Sequence, residues 1–420
     1  MRRQPRSVPV IEGPVDAVIR PPGSKSETIR AIAAASMAEG RSHLYSPLDA
    51  EDPSAMVAAV RAMGTAIEDR SDPWVVDGLG EPRHGDLVLD ANESGLSARI
   101  LLAMAASSPN SIRIEGKGRL PERPMSGLID ALRSQGVVVE GERVPIDVTG
   151  QGRLWGGHLV VDCTDSSQFA SALMLVAPMM ENPCQLEITG LTGSAGYLEG
   201  TVSVMTRFGA SAVKTVTGYE IDNTGYRPSD VVIEPDASSA TYPMAIAAIT
   251  GGRVTVEGLG ADSWQPDVSI ADVFEEMGCL VERGRNRLVV DARSRELIGL
   301  EVDMSHAPDG ALAVAVVACF ASSPTTLRGL GSLRPKESDR LAALASEIGR
   351  VGGAIKVGGD SLVIEPMTLQ GAVIDPHGDH RIAMALACAG SRVPGISVAD
   401  PDVVNKTWPK FWDMFDQLSR

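Results

Sequence analysis

The sequence predicts an α/β protein built from six repeats of about 70 residues, and three observations predict it. Six segments share one design: a short β-branched run, an acidic or polar turn, then an Ala-rich helix. They open at Gly23-Ser24-Lys25-Ser26, Glu93-Ser94-Gly95-Leu96-Ser97, Asp165-Ser166-Ser167-Gln168, Asp236-Ala237-Ser238-Ser239, Pro308-Asp309-Gly310 and Gly378-Asp379-His380-Arg381. Second, the markers Ser26, Ser97, Ser167, Ser238, Gly310 and His380 follow at steps of 71, 70, 71, 72 and 70 residues. Third, each repeat continues with an amphipathic helix, usually ended by a Gly suited to a left-handed cap: Gly64, Gly136, Gly209, Gly278 and Gly352. Each unit reads β-α-β-α-β-β, which is too large for an ordinary solenoid repeat.

In chain order, the first helix of each repeat is almost wholly apolar beyond its opening turn. Ala31-Ile32-Ala33-Ala34-Ala35 and Ala311-Leu312-Ala313-Val314-Ala315 are examples, and such helices are expected to be buried. The second helix has one apolar face and should lie against the first. The sixth repeat ends at Trp408-Pro409-Lys410-Phe411-Trp412, as though the chain stops inside its last helix. Six repeats make two domains of three. Residues 24–235 form the first domain and 1–23 with 236–420 the second, the strand before Gly23 crossing back to the latter.

Composition limits the function. The 420 residues exceed what one core usually organises, and hydrophobic residues reach 44% while aromatics reach only 4%. Small aliphatic side chains must fill the interior. A net charge of −16 opposes a broad nucleic-acid or anionic-membrane surface, so any anion site is local. Cys163, Cys184, Cys279, Cys319 and Cys388 are scattered without a CxxC pair, as expected of reduced thiols in a cytoplasmic protein. The basic start Met1-Arg2-Arg3 is followed by no apolar export segment, and no run reaches membrane-spanning length.

Helix starts gathered on one face of a domain present unpaired N–H groups and partial positive charge, which attract anions. Ser, Asp and Gly at these starts can act simply as N-caps. Lys25, Arg30, Arg99 and Arg381 need a further reason, because the helix dipole disfavours cations there; an anionic ligand supplies one. Two charged stretches, Arg119 to Pro124 and Arg334 to Arg340, precede amphipathic helices and fall on the same face. Gly23-Ser24-Lys25-Ser26 lacks the order of a phosphate-binding P-loop. His377-Gly378-Asp379-His380 is no convincing metal site, since Arg381 would repel a cation.

With these motifs in order along nearly the whole chain, the sequence resembles the 5-enolpyruvylshikimate-3-phosphate synthases. The likeness rests on Pro22-Gly23-Ser24-Lys25-Ser26 with Arg30, Gly95 with Arg99, Glu122-Arg123-Pro124, Ser166-Ser167-Gln168 and Asp236-Ala237-Ser238-Ser239-Ala240. It continues through Pro308-Asp309, Lys336-Glu337-Ser338-Asp339-Arg340, Asp379-His380-Arg381 and Lys406-Thr407. The resemblance implies a two-domain inside-out α/β barrel with its active site in the cleft between the domains. It also implies that the 5-hydroxyl of shikimate 3-phosphate adds to C2 of phosphoenolpyruvate while C3 is protonated, after which phosphate leaves. No metal or other cofactor is called for.

By the same resemblance, Ser166, Ser167 and Ser194 meet the shikimate phosphate, and Ser26 and Arg30 its carboxylate. Gln168, Tyr197, Ser332 and Lys336 hold the ring and its hydroxyls. Lys25, Gly95, Arg123, Gln168, Arg340, Arg381 and Lys406 receive phosphoenolpyruvate, with Arg99 and His380 in support. Asp309 takes the proton of the attacking hydroxyl, Glu337 handles the proton at C3, and Lys25 assists. A cytoplasmic monomer inhibited by glyphosate is implied. Glu93 departs from the usual Asn, Ala195 and Gly196 stand where a basic residue is frequent, and Asp49-Ala50-Glu51-Asp52 respaces an acidic pair.

Two other readings share the architecture. A sister transferase acting on UDP-N-acetylglucosamine usually carries a reactive Cys in the loop matching Glu115 to Pro124, and this loop has none. An RNA-end-modifying relative is opposed by the net charge and by the lack of a basic aromatic stripe.

Overall fold

Alternating apolar and polar segments fold into twelve α-helices among the described residues, which are 4–80, 85–190, 193 and 195–419 of a computed structural model. In chain order they are α1 (Lys25–Met37), α2 (Glu51–Ala62), α3 (Gly95–Ala106), α4 (Ser126–Ser134), α5 (Gln168–Val176) and α6 (Gly196–Arg207). There follow α7 (Ala237–Thr250), α8 (Ile270–Glu276), α9 (Ala311–Ala318), α10 (Arg340–Arg350), α11 (His380–Gly390) and α12 (Phe411–Leu418). Odd-numbered helices open the repeats and even-numbered ones follow. The five glycines expected to close α2, α4, α6, α8 and α10 all have positive φ, between 81° and 109°, which a side chain would resist.

The chain divides into two compact units, Gly23–Glu234 and Met1–Pro22 with Pro235–Arg420. In the first, α1, α3 and α5 pack on one another, and every residue of α3 is buried. Small side chains permit this close approach, so enlarging Ala103 would overpack the core at a cost of about 1–3 kcal/mol. Three sheets of four strands cover the helices. In one, Leu87–Asp90 pairs in parallel with Ser111–Glu115, then Ile146–Thr149 and Val138–Glu140 continue antiparallel. Inward and outward residues alternate along Ser111–Glu115, as a sheet with one buried face requires.

The second unit repeats the plan around α7, α9 and α11. Two of its sheets have four strands, whereas the third has the order Arg6–Ser7, Ser397–Val398, Val373–Ile374. Here the N-terminal strand supplies the antiparallel neighbour of Ser397–Val398. Phe411 anchors α12 by edge contacts to Tyr242 (6.1 Å) and Trp412 (5.0 Å).

Strands are exchanged where the chain passes between units. Asp16–Ile19 precedes α1 but pairs with Arg253–Glu257, while Asp230–Val232 precedes α7 but pairs with Gly40–Tyr45. At these passages Ser24 N donates to Glu234 O and Asp236 N to Pro22 O, both at 2.7 Å. Among the described residues no helix is long and apolar enough to cross a membrane.

Candidate active site

Polar residues predicted to bind ligands form two constellations, one in each unit. In the unit Gly23–Glu234, Lys25 opens α1 and its Nζ lies 3.1 Å from Asp52 Oδ2, in the first turn of α2. Ser26 beside it is half-buried. Arg30, one turn on, is only 1% exposed. Its Nε donates to Thr201 Oγ1 (2.9 Å), its Nη1 to Ser26 O (3.0 Å) and its Nη2 to Ser171 Oγ (3.3 Å). Burial brings this guanidinium down to about 10.

Arg99, in the second turn of α3, donates through Nη1 to Gln168 Oε1 (2.5 Å) and through Nη2 to Pro124 O (2.8 Å). It also stacks on Phe169, 5.1 Å from the ring centre. Arg30 and Arg99 thus have protein partners on other repeats. Each ties its helix to neighbouring ones, which is a second reason for a cation at these positions.

Arg123 is different. It follows the short turn Leu120–Glu122, is 6% exposed, and its buried Nε has no hydrogen-bond partner. A Cβ added at Gly95 would lie 2.5 Å from Arg123 Cζ, so only glycine at the first position of α3 lets the guanidinium rest against the helix start. A cation against the positive end of a helix is unfavourable, and an unsatisfied buried donor costs about 1–3 kcal/mol. An anion at this place would relieve both. The Glu93 side chain folds over Gly118, where an added Cβ would meet its Oε1 at 2.6 Å.

At the start of α5, Ser167 is buried and Ser166 Oγ accepts from Gln168 N at 3.2 Å. Tyr197, in the first turn of α6, is half-buried and its carbonyl accepts from Thr201 Oγ1 at 3.3 Å. Ser194 lies outside the described residues.

The second unit gathers charge around one guanidinium. Arg340 opens α10 behind its N-cap Asp339 and is 1% exposed. Its Nε donates to Asp379 Oδ2 (2.7 Å), its Nη1 to Asp309 Oδ1 (2.8 Å) and its Nη2 to Glu337 Oε2 (2.9 Å). Around these carboxylates stand Arg381, 3.3 Å from Asp309 Oδ2, Lys336, 3.7 Å from Asp309 Oδ1, and Lys406, 3.9 Å from Glu337 Oε1. Ser332 sits half-buried in the turn Gly331–Leu333. His380 is wholly buried, with Nδ1 3.6 Å from Asp379 Oδ1.

Electrostatics divide this cluster. Burial alone would raise the Asp309 carboxyl, but the charges of Lys336, Arg381 and Arg340 together hold it well below the carboxylate range. Burial would lower Arg340, yet Asp379, Glu337 and Asp309 push it above its ordinary value. Asp267, beside this group, is displaced the other way: burial and the Asp309 charge raise it.

Several partners are not evident from the residues alone. Asp379 caps α11 through the Arg381 N–H (2.9 Å) and also holds Arg340; its place beside His380-Arg381 is the available signal. Asp52 lies in a stretch marked by its acidic residues. Thr201, Ser171 and Asp267 carry no local signal. Among the described residues no group of three or more His, Cys, Asp and Glu side chains is arranged to hold a metal ion.

Known proteins place this architecture. The family model described as EPSP synthase (3-phosphoshikimate 1-carboxyvinyltransferase) matches residues 10–415. The chain is 39% identical over 409 residues to a 3-phosphoshikimate 1-carboxyvinyltransferase of Methanoculleus marisnigri, covering 96% of both chains. It is 36% identical over 420 residues to the protein of that name from Serratia proteamaculans, covering 97% of this chain and 96% of that one. The solved EPSP synthase of Acinetobacter baumannii superposes with a TM-score of 0.84 at 25% identity, over 99% of this chain and 98% of the other. The fold is the two-domain inside-out α/β barrel of the enolpyruvyl transferases. On the match over residues 10–415 and its relatives' identity, the chain belongs to the EPSP synthase family.

Proposed function

We propose that the chain transfers the enolpyruvyl group of phosphoenolpyruvate to the 5-hydroxyl of shikimate 3-phosphate and releases phosphate, as its relatives' names describe. The observation that supports this most directly is the Arg340 cluster, where two carboxylates suited to proton transfer, Asp309 and Glu337, share one guanidinium. Arg381, Lys336 and Lys406 around them suit a substrate carrying a carboxylate and a phosphate. Arg123 against the start of α3 offers the other unit's anion position.

In this reading the acceptor oxygen bonds to C2 of phosphoenolpyruvate, and its proton passes to Asp309. The C2–C3 π pair takes a proton at C3 from Glu337. The tetrahedral adduct then collapses: the C2–O bond to phosphate breaks, phosphate leaves with the electron pair and takes up the proton held by Asp309, and C3 returns a proton to Glu337 as the double bond re-forms. Asp309, held low by three cations, is a weak base in the free protein. Phosphoenolpyruvate on Arg340 and Arg381, with shikimate 3-phosphate on Lys336, loosens that hold and restores its basicity.

Lys25, Gly95, Arg123, Gln168, Arg340, Arg381 and Lys406 receive phosphoenolpyruvate in this proposal. Ser26, Arg30, Ser166, Ser167, Gln168, Ser194, Tyr197, Ser332 and Lys336 hold shikimate 3-phosphate, with Arg99 and His380 supporting. Residues 24–235 and 1–23 with 236–420 act as two domains that bring their half-sites to the substrates. The enzyme works as a cytoplasmic monomer and glyphosate competes with phosphoenolpyruvate. All five thiols are buried and raised by burial, which opposes a cysteine-dependent reaction on UDP-N-acetylglucosamine.

A phosphate-release assay tests the proposal. Release is expected only with phosphoenolpyruvate and shikimate 3-phosphate together; release with UDP-N-acetylglucosamine in place of the latter would overturn it.

A further inference from the structure

Behind Asp309 lies a second carboxylate that the reaction as described does not use. Asp267 sits in the turn Pro266–Ser269 before α8 and is 2% exposed. Its Oδ1 accepts the Gly310 N–H at 3.1 Å and its Oδ2 accepts the Ser238 hydroxyl at 2.6 Å. Gly310 adjoins Asp309 in the turn Pro308–Gly310, and Ser238 lies in the first turn of α7. The Asp267 side chain therefore bridges the turn that carries Asp309 to the start of a helix from a different repeat. Nearby, Gln265 Oε1 accepts the Ala237 N–H at 3.0 Å and its Nε2 donates to Pro235 O at 2.7 Å. The whole segment before α8 is thus fastened to α7.

We propose that Asp267 is a positioning residue for Asp309, fixing its turn through the Gly310 N–H and acting as a second anion that increases its affinity for the acceptor proton. The inference rests on Asp309 being the base that takes that proton.

The charges around Asp309 give a second anion its importance. Lys336, Arg381 and Arg340 all favour its ionised form and outweigh the opposing charge of Glu337, and a base stabilised so strongly accepts a proton poorly. An anion nearby works in the opposite sense. The groups that act on Asp267 come from each neighbouring element: Asp309 before α9, Arg381 on α11, Asp236 and Ser238 at the start of α7. Burial and the Asp309 charge raise the Asp267 carboxyl, while Arg381 and the Ser238 hydrogen bond lower it. As pH falls, Asp267 gains its proton above the usual carboxylate range. The second anion is then lost and turnover falls with it.

Asp267→Asn separates the two roles. The amide oxygen still accepts from Gly310 N–H, and the amide nitrogen donates to Ser238 once that hydroxyl turns, so the bridge remains while the charge is gone. Turnover, KM and melting temperature are measured across the acid range for the parent, Asp267→Asn, Ser238→Ala and Asp309→Asn. Asp267→Asn is expected to lower kcat about tenfold with each KM within about twofold, and to move the acid-side fall of kcat to lower pH, where only Asp309 gains its proton. Ser238→Ala should move that fall to higher pH, because a bond favouring ionised Asp267 is removed.

Parent-like kcat and an unchanged acid-side fall in Asp267→Asn, with Asp309→Asn inactive, overturn the inference while leaving Asp309 as the base. Parent-like turnover in Asp309→Asn overturns both. If Asp267→Asn does not fold, Ser238→Ala decides: a shifted fall supports the inference and an unshifted one overturns it.

Discussion

Arg340 Nη1 lies 2.8 Å from Asp309 Oδ1, and the same guanidinium holds Glu337 and Asp379 through its other nitrogens. One rigid fork thereby sets the positions of three carboxylates. Arg340→Lys keeps the charge but cannot span them, so kcat/KM should fall by at least about 10²-fold. Arg340→Met removes the charge as well, and uncompensated buried carboxylates should cost about 3–5 kcal/mol of stability. Steady-state kinetics and denaturant unfolding measure the two effects; parent-like values would contradict the clamp.

Asp309→Asn and Glu337→Gln retain shape and remove a proton-transfer group. Each should lower kcat more than it raises either KM, since the loss is felt in the transition state. Lys25→Met, which also removes from Asp52 the cation now 3.1 Å away, should cost at least about 10²-fold in kcat. Normal turnover in all three variants would rule out the proposed proton transfers.

Gly95→Ala places a Cβ where the Arg123 guanidinium now rests. The guanidinium must shift, and phosphoenolpyruvate KM should rise. Glyphosate, slightly longer than phosphoenolpyruvate, should suffer the larger factor because a new steric contact discriminates by size. Inhibition measured at several phosphoenolpyruvate concentrations checks this; equal factors, or noncompetitive inhibition, would place glyphosate elsewhere.

Burial lifts the Glu27 carboxyl from 4.5 to about 7 against the pull of Arg207, with which it is paired. Between those two values the unfolded chain gives up this proton while the folded chain keeps it. Stability from Glu27 is therefore present below about pH 4.5 and is lost as pH rises through about 7, a contribution of about 3 kcal/mol. Glu27→Gln removes the titration, so its melting temperature should fall less than the parent's over that window. Identical slopes in the two proteins would contradict the shift.

The repeat is legible in sequence because every helix start recurs at nearly the same interval and the amphipathic helices share the same left-handed end. Gly64 and Gly352 announce positive φ from their place in the repeat alone. The strand Arg6–Ser7 is not legible in this way: two residues carry no periodicity, and their partner, Ser397–Val398, lies at the far end of the chain. The protein partners of Arg30 and Arg99, which are Thr201, Ser171 and Gln168, are hidden from a reading of single helices because they belong to other repeats. Asp267 is hidden for the same reason: nothing local in Gln265-Pro266-Asp267 marks a carboxylate that reaches Gly310.

Cleavage of the C2–O bond is the central chemical claim, and phosphoenolpyruvate carrying heavy oxygen at its bridging position tests it most directly. Mass spectrometry of the products formed with shikimate 3-phosphate should find that oxygen wholly in the released phosphate. Heavy oxygen retained in the organic product would mean that the phosphorus–oxygen bond had broken instead, and would contradict addition followed by elimination.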